Sequence, residues 1–319
     1  MDYDHILKGM TLAPSAHNSQ PWRFATGDNA IDVYTDESRH LPASDPDRRE
    51  LYISLGCAVA NGVVAGAQMG QGARIEYFPE GKDHNKPAAR VHFESATEVK
   101  HYRELGDAVT TRRTNRSLYH SHNLTHEDRA SLPTLADDAV KLIEDRGQIE
   151  AIAKLTGEGS FETLKKQAFK DELSHWVRNN WTKQPDGMPG YAMGMPAPMS
   201  LIAPLLVRIA PIHKQEQTQT GKQVRSASAI AVVSTPYDTP RDWLHAGLLC
   251  EYLWLEATAA GLAAAPLAAA IEAGSDLREE LKIAAGITDF PQVVMRLGHS
   301  SKKNLKATPR RSVTDCLVQ

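Results

Sequence analysis

The chain has 319 residues, a length that accommodates about two domains or one doubled unit. Its 36 Lys and Arg against 39 Asp and Glu leave a net charge of −3, which argues against a nucleic-acid binder or a polybasic membrane-surface protein. With 41% hydrophobic and 24% charged residues it reads as a soluble globular chain, and three scattered cysteines (Cys57, Cys250, Cys316) suggest neither a disulfide framework nor a metal site.

The first ten residues lack a basic-then-apolar leader pattern, so a cytoplasmic location is expected. Apolar spacing at three and four predicts helices over 47–69, 101–112, 126–133, 147–157, 160–181, 240–261 and 276–285. Val-, Ile- and Tyr-rich runs predict strands over 30–35, 73–79, 88–94, 139–143, 228–235 and 291–297. Strands and long helices do not alternate regularly, which favours an α+β sandwich over a doubly wound parallel sheet. The most apolar run, 244–271, holds Glu251, Glu256 and Pro266. Burying two carboxylates in lipid is costly, so this run is expected to be a core helix. The segment 182–225 is crowded with Pro, Gly, Met and Gln and is expected to be a lid or a binding element.

An internal repeat organises the chain. GCAVANGVVAGAQMG at 56–70 parallels GLLCEYLWLEATAAG at 247–261, each opening and closing on Gly after a strand that starts Ala-Ile. Further on, TTRRTN at 110–115 parallels ATPRRS at 307–312. Two matches in the same order point to a duplication, with a first half at 1–100 and a second at 101–319 that carries an insert at about 160–225.

Two motifs could carry chemistry. APSAHNSQPWRF at 13–24 offers Pro14, the Ser15 hydroxyl, the backbone at Ala16 and the amides of Asn18 and Gln20. Its chemistry alone equally suits a turn before a strand, with Trp22 as a core anchor. RRTNR at 112–116 gathers Arg112, Arg113, Thr114 and Arg116, a cluster suited to a phosphate dianion or to a solvated helix end. Neither GxGxxG after a strand nor GxxxxGK[ST] occurs.

Together with FPQVVMRLGH at 290–299 and the TPRRSV tail, these motifs resemble the nitroreductase family of FMN proteins. DGMPGYAMG at 186–194 is closer to its Acg-type branch, in which two nitroreductase-like halves are fused into an intramolecular pseudo-dimer. The resemblance implies FMN as cofactor, NAD(P)H as reductant and a small electron-poor acceptor such as a nitroaromatic or quinone. It implies no nucleic-acid or membrane partner, and a monomer whose further homodimerisation is left open. Arg112 and Arg113 would hold the phosphate and ribityl chain, with Thr114 beside them, and Arg310 or Arg311 would reach the phosphate. Arg116 would face the pyrimidine edge, Ser15 and Asn18 the ribityl chain and ring. Pro266 and Leu267, at the turn after helix 240–261, would face the reactive ring nitrogen. Met188, Tyr191, Met193 and Met195 would lie over the flavin as a lid. No side chain is expected to act as a nucleophile, because the flavin carries the chemistry. The alternative implied by the Acg-type likeness is a flavin-sequestering protein with little turnover.

Overall fold

Ten strands order the computed structural model, which describes residues 1–96, 99–120 and 122–318. They are β1 Trp22–Gly27, β2 Ala30–Thr35, β3 Gln71–Tyr77, β4 Ala89–Ser95, β5 Val140–Ile143, β6 Val177–Arg178, β7 Met188–Pro189, β8 Ala229–Thr235, β9 Ala263–Leu267 and β10 Phe290–Gly298. Two four-stranded sheets run β1-β2-β4-β3 and β5-β8-β10-β9, and every pairing in both is antiparallel. The expected α+β class holds.

Each sheet follows one recipe. The order is first, second, fourth, third strand, with a 20-residue helix between the second and third: Arg49–Gln68 in one, Pro240–Ala259 in the other. Gly56 and Gly247, which open the sequence repeat, are each the eighth residue of their helix. Gly70 and Gly261, which close it, both stand just past the helix end with φ of 75° and 73°. That left-handed backbone ends a helix cheaply only at glycine.

The chain divides into two compact units. One comprises Met1–Arg112, Thr239–Leu255 and Pro309–Gln319; the other comprises Arg113–Asp238 and Glu256–Thr308. In the first, β1 and β4 alternate buried and half-buried positions, so that Trp22, Phe24, Val91 and Phe93 enter the core. Helix Arg49–Gln68 is long and apolar enough to span a bilayer by composition, but 94% of its apolar window is buried inside the fold. It meets the segment 240–255 at a contact only glycine permits: a Cβ on Gly56 would stand 2.0 Å from Leu244 O, and one on Gly247 2.0 Å from Ile53 O.

In the second unit β8 is buried at all seven residues, as a central strand of continuous apolar sequence should be. Ile143, Ile152, Val232, Leu281 and Val294 meet in its core. Helix Arg146–Lys165 runs unbroken through Gly157 and Gly159, where the sequence suggested a gap. The glycines are there for close approach: a Cβ would stand 2.9 Å from Gln217 O and 2.2 Å from Ala269 O respectively. The Pro-, Gly-, Met- and Gln-rich segment 182–225, for which no helix was expected, holds helices Ala203–Ile209 and His213–Arg225.

Candidate functional site

In the first unit the 13–24 motif folds as a tight, left-handed turn. His17, Asn18 and Gln20 all have φ between 51° and 56°, a region that costs a residue with a Cβ about 1–3 kcal/mol and needs support. Support comes from Ser15, whose Oγ accepts from Gln20 N at 2.9 Å, and from the C-terminal tail. Asn18 Nδ2 donates to Pro309 O at 3.1 Å, and Gln20 Oε1 accepts from Arg311 N at 2.8 Å. Pro14 and Ala16 are half-buried at the start of this turn. Trp22 opens β1 fully buried, so the motif is also the turn and core anchor its chemistry allowed.

The arginines of the two arms meet over this turn. Arg310 Nη1 donates to Asn18 Oδ1 at 2.9 Å and its Nη2 to Leu12 O at 3.2 Å; Arg112 Nη2 donates to the same carbonyl at 2.9 Å. Two guanidinium groups on one oxygen repel, and a carboxylate answers them. Glu251, fully buried on helix Pro240–Ala259, pairs with Arg112 Nε at 3.0 Å, while the Arg112 guanidinium lies 4.4 Å from the Trp254 ring. Burial pushes the Glu251 carboxyl up to about 7, against the pull of Arg112 and Arg310. The sequence showed this glutamate only as a polar break in an apolar helix. Its role follows from a contact across 139 positions, which periodicity does not carry.

Arg311 is different. Its Nη1 reaches Gln20 O at 3.0 Å, Trp22 O at 3.3 Å and Asp36 Oδ2 at 3.2 Å, and Nη2 donates to Asp315 O. It is buried and occupied in stitching the tail to β1.

In the second unit the rest of the RRTNR arm runs beside β9. Thr114 bridges Ala264, and Asn115 N donates to Ala264 O at 3.1 Å. Arg113 is half-buried at the head of this stretch. Pro266 and Leu267 lie inside β9, paired with Met295 and Val294, and not in a turn after the helix. The run AAAPL has no β-branched residue to announce a strand, and its proline is tolerated because β9 pairs with β10 on one side and stands at the sheet edge. Arg296, on β10 and fully buried, fixes the arm: it donates to Asn115 O at 2.7 Å and Ser117 O at 3.0 Å, and lies 4.1 Å from the Tyr119 ring.

The segment expected to be a lid meets this arm at Ala192 and the chain at 306–307 through Tyr191. Arg116 Nη1 donates to Ala192 O at 3.1 Å, and Tyr191 OH to Ala307 O at 2.8 Å, with Lys306 Nζ 4.5 Å from the tyrosine ring. Met188 opens β7. Met193 and Met195 pack against Val177, Ala203 and Val207, so their thioethers serve a small core of the segment's own.

The arginine arms thus lie on a strained turn in the first unit and along a strand edge in the second. Residues 152–299 match the model of the Nitroreductase family. That stretch contains the segment expected to be an insert and excludes the 13–24 and 112–116 motifs. Two Mycobacterium tuberculosis proteins provisionally named NAD(P)H nitroreductases are similar over nearly the full length. Rv3131 is 26% identical over 97% of this chain and 89% of its own, and acg is 29% identical over 95% and 91%. Among solved structures, the FMN-dependent nitroreductase NfnB from Mycobacterium smegmatis, in complex with NADPH, is 15% identical with a TM-score of 0.44, over 66% of this chain and 96% of that one.

Proposed function

We propose that the chain is an FMN-dependent oxidoreductase that takes a hydride from NAD(P)H and passes electrons to an electron-poor small molecule of the nitroaromatic or quinone class. The observation that carries the reading is the meeting of Arg112 and Arg310 at Leu12 O, with Asn18 Oδ1 accepting from Arg310, which joins three sequence motifs in one place. The donor set fits the cofactor. Arg112 and Arg310, beside a serine hydroxyl and an amide, suit a phosphate and a ribityl chain, with Glu251 offsetting one of their two positive charges. Bound there, FMN would accept the hydride and release electrons singly or in pairs.

The chain's own residues bind, orient and tune. Arg112 and Arg310 hold the phosphate, with Arg113 and Thr114 along the same arm; Ser15 and Asn18 hold the ribityl chain. Arg311 is assigned to structure. Arg116 supplies a fixed cation near the pyrimidine edge, stabilising the charge that grows there on reduction. Pro266 and Leu267 present the edge of β9 to the ring.

The matched sheet topologies and glycine positions support two fused halves, split at about residue 100. A second reading, flavin storage with little turnover, is favoured by one observation: Arg116 and Tyr191 both fasten the 188–195 loop. Anaerobic addition of NADPH to the FMN-loaded protein separates the two. Bleaching of the flavin spectrum within seconds supports the enzyme; a spectrum unchanged over an hour supports storage.

A further inference from the structure

The loop between β6 and β7 is built to hold its shape. Its ends are clamped as a parallel pair, Val177 with Met188 and Arg178 with Pro189. Across its base Arg178 Nη2 binds Asp186 Oδ1 at 2.9 Å. Inside it, Asn179 Oδ1 accepts from Trp181 N at 2.9 Å and Thr182 Oγ1 from Gln184 N at 3.1 Å, two short side-chain turns in succession. Gly187, at φ 74°, lets the returning strand pass where a Cβ would stand 2.5 Å from Trp176 O.

What this rigid loop presents is an indole. Trp181 and Leu201 are each 61% exposed, and the two line an open cavity of about 760 Å³ with Pro204, Asn179, Thr182 and Lys183. The volume is that of a drug-sized ligand site. The indole face of Trp181 with apolar Leu201 and Pro204 favours a planar ring, and the Thr182 hydroxyl and Asn179 amide are among the lining groups. The charge is set as well. Arg178 is taken by Asp186, the one carboxylate of the lining, so Lys183 leaves a single positive charge over.

We infer that this cavity binds a planar aromatic monoanion, an arenecarboxylate, at a site separate from the turn and arms assigned to FMN. The loop is ordered before the ligand arrives, so little ordering entropy opposes binding. The inference stands whether or not the chain binds flavin.

The probe is 2-naphthoate, with neutral 2-naphthol as its uncharged counterpart, followed through the indole ¹⁵N–¹H signals of the protein; W181F assigns the Trp181 signal. The expected result is a saturable, one-to-one shift of that signal. W181A should weaken 2-naphthoate by about tenfold or more, through loss of the ring face and its buried area. K183Q should weaken 2-naphthoate by roughly two- to fivefold, the range for an exposed ion pair, and leave 2-naphthol unchanged. Both side chains are exposed, so neither change touches a core. A Trp181 signal that stays put at millimolar 2-naphthoate, or a W181A protein that binds as the parent does, overturns the site. Equal effects of K183Q on both probes overturn its charge preference.

Discussion

Arg310 and Arg311 are neighbours in sequence and opposites in role, and replacing each by alanine separates them. Arg311→Ala removes a buried guanidinium that serves Gln20 O, Trp22 O and Asp36. It leaves two carbonyl oxygens without their donor, and Asp36, 13% exposed, with only Arg39 at 3.6 Å as cation. Losing a buried charged donor of this kind costs about 2–3 kcal/mol, a sizeable share of the stability of a single domain. Arg310→Ala removes contacts to Asn18 Oδ1 and Leu12 O in a half-buried place, a loss of about 1 kcal/mol in stability. Its effect should instead fall on the cofactor: losing a charge-assisted contact to phosphate weakens FMN by about 1.5–3 kcal/mol, roughly ten- to a hundredfold. Urea unfolding of the apo-proteins and FMN titration, read by flavin fluorescence, give the two axes. The expected pattern is a crossed one, with Arg311→Ala unstable and Arg310→Ala stable but weak for FMN. If Arg310→Ala binds FMN as the parent does, or if Arg311→Ala is as stable as the parent, the division of labour is wrong.

Glu251→Gln tests the buried carboxylate. A pKa raised to about 7 keeps the proton on the folded chain where the unfolded one has lost it, so this group's contribution to stability falls as pH climbs from 4.5 towards 7. The neutral amide escapes that fall, and the variant should gain on the parent by up to about 3 kcal/mol between pH 5 and pH 8 in urea melts; a pH-independent difference would show Glu251 ionised throughout. Gly247→Ala should cost about 3 kcal/mol or more, because its Cβ would stand 2.0 Å from Ile53 O, whereas Gly27→Ala, with nothing within 4 Å, should be nearly silent. Tyr191→Phe removes the hydrogen bond to Ala307 O, worth about 1 kcal/mol, and should speed flavin reduction by NADPH about fivefold in stopped-flow if the 188–195 loop gates the ring; an unchanged rate would remove the gate.

The legible parts of the fold were those with strong local signals. The two 20-residue helices showed their period and their closing glycines, and β2, β4, β8 and β10 showed runs of branched residues. β9 was hidden because all five of its residues are alanine, proline or leucine, none of them β-branched, and its strand state comes from pairing with β10. The helix His213–Arg225 was hidden for the opposite reason: it is polar almost throughout and is held by close approach to the helix Arg146–Lys165 at Gly157. In the candidate site, residue types were readable and partners were not. Asn18, Arg112 and Arg310 stood out, but nothing local tells Arg310 from Arg311, or marks Glu251 as the carboxylate between two arginines. Those assignments depend on contacts made across 100 to 300 positions.

The most direct test of the account is the FMN content of the purified chain after reconstitution and removal of free cofactor, measured as flavin released per protein. The first unit offers one turn of the 13–24 kind, with one pair of arginines over it, so the account predicts one FMN per chain. A value near zero would contradict flavin binding, and a value near two would contradict a single assembled site.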